Sequence, residues 1–162
     1  MKRKTALYGV LVALAFVFSF LESLFPLPIG IPGVKMGLAN GVTLVAWHLL
    51  GGGAALTVSC VRILLAGLTF GSPVSMLYSL AGGLVSFGVM WLCRRSGRFS
   101  LMGVSMAGGV SHNVAQLLVA ALVLRTPSVV WYLPVLLLSG LVAGWLLGWL
   151  CSLLTPLLER MK

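Results

Sequence analysis

The sequence predicts an all-α integral membrane protein of six transmembrane helices with both termini cytoplasmic, and three observations lead there. Of 162 residues, 60% are hydrophobic and only 8% charged, against about 45–50% and 25% in ordinary soluble domains. Mean hydropathy is +1.12, and at about 20 apolar residues per span the chain has room for about six helices and little else. The basic residues stand in short clusters between apolar runs, which is how a chain fixes its orientation in a bilayer. Residues 1–162 therefore read as one transmembrane domain.

Each helix has its own signals. After the basic start Met1–Lys4, residues 5–25 form the first. This run is too long for a signal peptide, and no small-x-small cleavage site follows it. Pro26, Pro28, Gly30, Pro32 and Gly33 then break any helix. The segment stays apolar, as a loop packed on protein would. A second, short helix covers residues 38–50 and ends at Gly51, Gly52 and Gly53. The third covers 54–70, stopped by Gly71, Ser72 and Pro73, and the fourth covers 74–92, before Arg94, Arg95 and Arg98. The fifth covers 101–124, with Arg125, Thr126 and Pro127 as its turn. The sixth covers 129–154, with a candidate early break at Pro134 and a close at Thr155 and Pro156.

Charge tests the count. With the N-terminus inside, Lys2, Arg3, Lys4, Arg94, Arg95, Arg98, Arg160 and Lys162 are cytoplasmic, and only Lys35 and Arg125 lie outside. That agrees with the positive-inside rule, whereas five spans would put Arg160 and Lys162 outside.

Composition excludes several chemistries. Glu22 and Glu159 are the two carboxylate side chains and there is no Asp, so paired-carboxylate catalysis and aspartate-held magnesium have no residues to work with. The +9 charge is spread as a topology signal, so nucleic acid is not an expected partner. Cys60, Cys93 and Cys151 are far apart in apolar stretches and read as small hydrophobes. His48 and His112 fall on different helices, so no metal ligand set, cofactor or catalytic residue is assigned. No GxxxxGK loop is present for ATP.

Three features are candidates for function. Arg62 lies mid-span, where an arginine costs about 2.5–3.5 kcal/mol to insert. It either caps carbonyls or pairs with Glu22 as a structural residue, or it meets an anionic group of a ligand. In the fifth helix, SHNVAQ places His112, Asn113 and Gln116 on one face, with Ser105, Gly108 and Gly109 extending the stripe. That face is either interhelical glue or a ligand-lining wall. Asn40 either adds an amide from above or caps the second helix. Finally, Gly9 and Ala13, and Gly140, Gly144 and Gly148, repeat at the four-residue spacing of close helix contacts, within the chain or with a membrane partner. The five tryptophans read as interface anchors or core.

The segments PGVKMGLANGVTL, VRILLAGLTFGS, SLAGGLVSFGVM and GGVSHNVAQLLVA together resemble the Gx transporter family. That family is also catalogued as heptaprenyl diphosphate synthase component I and is similar to the substrate-binding S components of energy-coupling factor (ECF) transporters. The resemblance spans nearly the whole chain. It implies an S-component-like bundle in the bacterial plasma membrane, with a substrate site opening outward under the loop after the first helix. A coupling subunit would dock on Gly9 and Ala13, in the place of an AxxxA-type surface, and separate ATPase subunits would supply energy. Lys35, Asn40, Arg62, His112, Asn113 and Gln116 occupy the family's distinctive motifs. The expected ligand is a small anion or an isoprenoid- or quinone-like amphiphile, met by the charge of Arg62 and by apolar walls.

The synthase name points to another class, a non-catalytic accessory subunit holding a prenyl diphosphate synthase through Arg94, Arg95, Arg98 and the C-terminal tail. Without Asp the chain cannot itself be the catalytic subunit. A membrane enzyme using His112 as base lacks a paired acid or nucleophile.

Overall fold

The computed structural model describes residues 2–24 and 37–159. They form six α-helices: α1 (Lys2–Leu24), α2 (Ala39–Leu50), α3 (Gly52–Thr69), α4 (Pro73–Ser96), α5 (Leu101–Leu124) and α6 (Leu133–Glu159). A 3-10 turn over Pro127–Tyr132 precedes α6.

The helices are built inside out relative to a water-soluble protein. On α3, Ser59, Arg62 and Ala66 face inward while Leu64, Leu65 and Leu68 face outward, Leu68 being 80% exposed. Leu122 at 77% and Trp131 at 85% repeat the pattern. Leaving so much apolar area in water costs about 25 cal/mol per Å². In lipid the same surface is matched by its solvent, and each helix satisfies its own backbone there. The protein is thus a multi-pass membrane protein.

Five of the helices are long and apolar enough to cross a membrane. The exception is α2, whose 12 residues reach about 18 Å against a hydrocarbon core of about 30 Å. It lies inside the bundle, with Ala39 to Leu44, Ala46 and Trp47 buried.

Boundaries move where capping overrides hydropathy. α4 starts at Pro73 because Ser72 and Ser75 form a reciprocal capping box: the Ser75 amide donates to Ser72 Oγ at 3.1 Å, and the Ser72 amide to Ser75 Oγ at 2.9 Å. It runs past the expected end at 92 to Ser96, since arginines do not stop a helix. Gly97, left-handed at φ 66°, does. Ser72→Ala is expected to cost about 1 kcal/mol, seen as a Tm lowered by about 2–4 °C in thermal unfolding. Pro134 sits in the first turn of α6, where no N–H is needed, and so does not break it. The helix also passes the expected close at Pro156 and ends at Glu159.

Two apolar clusters bracket a polar middle. One gathers Leu11, Val42, Trp47, Val58, Met90 and Val104. The other gathers Tyr78, Leu117, Ala120, Val129 and Leu136. Along α5 the chain passes from Val104 through the Ser105–Gln116 stretch to Leu117, so the polar face lies between them. At the first end Trp47 stacks on Phe87 at 4.7 Å and Arg94 lies over Trp47 at 5.7 Å, while Arg95 covers Trp91 at 5.2 Å.

Candidate functional site

The polar centre is assembled from all six helices. Ser19 and Glu22, three residues apart, share the inward face of α1 and are buried. From α3 comes Arg62, only 2% exposed. Its Nη1 donates to Ser19 Oγ at 3.1 Å and its Nη2 to Asn40 Oδ1 at 3.2 Å. Nε has no hydrogen-bond partner among the described residues. Arg62 therefore ties α1, α2 and α3 together.

Glu22 stands on the same tie. Its Oε1 accepts the Leu38 amide at 2.6 Å, placing a carboxylate at the N-terminus of α2, where the helix dipole favours negative charge. Its charge also acts on Arg62. Glu22 thus does the capping for which Asn40 was one candidate; α2 has no side-chain cap of its own. Asn40 instead holds Arg62 through Oδ1 and keeps an Nδ2 with no hydrogen-bond partner among the described residues.

The α5 face divides its work. Asn113, fully buried, turns to α6: Nδ2 donates to the Leu136 carbonyl at 2.8 Å and to Ser139 Oγ at 3.1 Å. Its Oδ1 has no hydrogen-bond partner among the described residues. His112 lies between two glycines. A Cβ on Gly82 would stand 2.8 Å from His112 Nδ1, and one on Gly37 would stand 3.3 Å from Cδ2. Gln116 packs beside it, with Cγ 3.0 Å from the same Gly82 position. Ser86, on α4, is buried, with no hydrogen-bond partner for Oγ among the described residues.

A cavity of about 10 Å³ lies where α2 meets α5 and α6, walled by Gly37, Asn40, Ser105, Gly108, Gly109 and Leu147. It has room for about one water molecule. Substrate pockets run to about 300–1,000 Å³, well above this volume.

Of the residues singled out in the sequence, Asn40 and Arg62 bond directly, and His112 reaches them through Gly37, which lies beside both His112 and Asn40. Asn113 belongs to the α5–α6 contact. Lys35 lies outside the described residues. Gly9 and Ala13 face outward, with open space where a Gly9 Cβ would go. Gly140, Gly144 and Gly148 are spent within the chain, against the backbone of α5. Sequence reasoning missed Ser19, Gly37, Gly82 and Ser86. The Ser19–Glu22 spacing was the available signal for α1, and a glycine pair beside SLAGGL's serine the one for α4.

An apolar helical bundle around a buried polar centre defines a multi-pass membrane protein, and its fold is that of a solved S component. A solved structure described as "Structure and mechanism of the S component of a bacterial ECF transporter" matches with a TM-score of 0.58 at 22% identity, covering 99% of this chain and 96% of that one. The chain belongs to the heptaprenyl diphosphate synthase component I family, whose model matches residues 11–154. Comparison with curated proteins gave no match.

Proposed function

We propose that the protein is the non-catalytic, substrate-binding membrane subunit of an ECF-type importer, taking up a small anionic or isoprenoid-related ligand across the bacterial plasma membrane. The observation that carries this reading is the buried polar centre of Asn40, Arg62, His112 and Gln116 inside a bundle of S-component fold. Packing alone does not need so many strong hydrogen-bonding groups in an apolar protein. In this reading Lys35, Asn40, Arg62, His112, Asn113 and Gln116 bind ligand. All six helices cross, α2 through a part of the bundle that protein, not lipid, surrounds. Both termini are cytoplasmic. A coupling subunit docks on the outward Gly9 and Ala13, and separate ATPase subunits drive transport.

The family's description favours a second reading, a membrane scaffold for a prenyl diphosphate synthase, using Arg94, Arg95 and Arg98, all exposed at one end. Native mass spectrometry of protein gently extracted from its own membrane separates the two. A co-purifying small molecule, lost in Gln116→Ala, is the expected result. A stoichiometric soluble synthase with no small molecule would replace the importer by the scaffold.

A further inference from the structure

Charge at the polar centre limits what it can hold. Arg62 is the one buried cation among the described residues, and Glu22 is buried beside it. The proximity is geometric: Glu22 is one helical turn from Ser19, which accepts from Arg62, and its carboxylate holds Leu38, two residues before Asn40, which also accepts from Arg62. The pair sums to zero. Arg125 is exposed beyond the C-terminus of α5 and does not enter the centre. Lys35, outside the described residues, raises the sum to +1 at most.

A diphosphate brings two to three negative charges. Each buried ion left without a counter-charge costs several kcal/mol even after relaxation. Among the described residues the site has neither the cations nor, with Glu22 already on the α2 N-terminus, a free anion-binding helix end. The unspent groups brought together by the Arg62–Asn40 hydrogen bond are two donors, Asn40 Nδ2 and Arg62 Nε, neither with a partner among the described residues. Such a pair matches a head group that accepts, such as a carbonyl or a single carboxylate.

We infer that the site takes a small molecule with at most one negative charge and a hydrogen-bond-accepting head group, and that Glu22 excludes diphosphates by its own negative charge at the centre and by holding the start of α2. This rests on the substrate-binding reading above and narrows its ligand to the low-charge end.

The experiment measures thermal stabilisation in zwitterionic-lipid nanodiscs by inorganic pyrophosphate and farnesyl diphosphate, alongside the mass of any molecule retained from the native membrane. Wild type is expected to show no saturable shift with either diphosphate up to millimolar concentration and to retain a neutral or singly charged molecule. Glu22→Gln should bind pyrophosphate at least tenfold more tightly, and the gain should vanish in Glu22→Gln/Arg62→Leu, in which no unpaired charge is buried. Saturable binding of either diphosphate by wild type overturns the charge limit and leaves the importer standing. No gain in Glu22→Gln also overturns it. A wild-type protein retaining no small molecule and holding a synthase overturns the importer reading beneath it.

Discussion

Arg62→Leu is expected to be the most damaging single change at the polar centre, lowering stability by about 3–5 kcal/mol, the usual cost of breaking a buried pair from one side. The guanidinium holds Ser19 on α1 and Asn40 on α2. Its loss strips both of a donor and removes the one buried cation among the described residues. For a chain of this size that is a Tm lower by on the order of 10 °C, read by tryptophan fluorescence in detergent. Adding Glu22→Gln should restore more than half of the loss, because it removes the buried negative charge that Arg62 offsets. Arg62→Lys should fall between, since an ammonium keeps the charge but cannot span two acceptors as a planar fork does. A single mutant within 2 °C of wild type would mean that Glu22 is compensated elsewhere.

That result bears on how the sequence could be read. Hydropathy located the five long helices, because membrane insertion demands long apolar runs whatever the tertiary structure, and glycines and prolines bounded the short α2. It could not place their ends at Ser72, Gly97 or Pro134, where hydrogen bonds and φ decide. The choice for Arg62, between a structural tie and a ligand contact, was also out of reach. α3 is apolar nearly all round, so periodicity gives no facing direction. Only the fold puts Ser19, Glu22 and Asn40 beside it. These contacts give the structural role direct support, and ligand binding is a use of what the tie leaves unspent. His112, Asn113 and Gln116 were legible as one face by spacing, yet Asn113 bonds α6 while His112 and Gln116 border Gly82 of α4. A stripe broad enough to touch two neighbours divides between them.

The small-residue spacing shows the same limit more sharply, and it yields the second large prediction. Gly109→Val should destabilise the protein by about 3 kcal/mol, at the upper end of overpacking costs. A Cβ there falls on the Gly140 carbonyl oxygen, and along the same seam one on Gly144 would stand 2.6 Å from the Met106 Cα and one on Gly148 2.7 Å from the Met102 Cα. These obstacles are backbone, which no rotamer change moves, so α6 must shift bodily away from α5. That shift would also pull the Leu136 carbonyl from Asn113, now 2.8 Å away, and open the floor of the polar centre. The expected readout is loss of the monodisperse peak in size-exclusion chromatography of the extracted protein, with a depressed Tm in what remains. Gly9→Ala should do the opposite. Its added methyl meets nothing within 4 Å, and alanine in a helix interior gains about 0.5–1 kcal/mol over glycine. Equal effects at the two sites would show that the α5–α6 seam is not what holds these helices together. The sign of a small-to-large change therefore tells which stripe the fold has already used and which it still presents to the membrane.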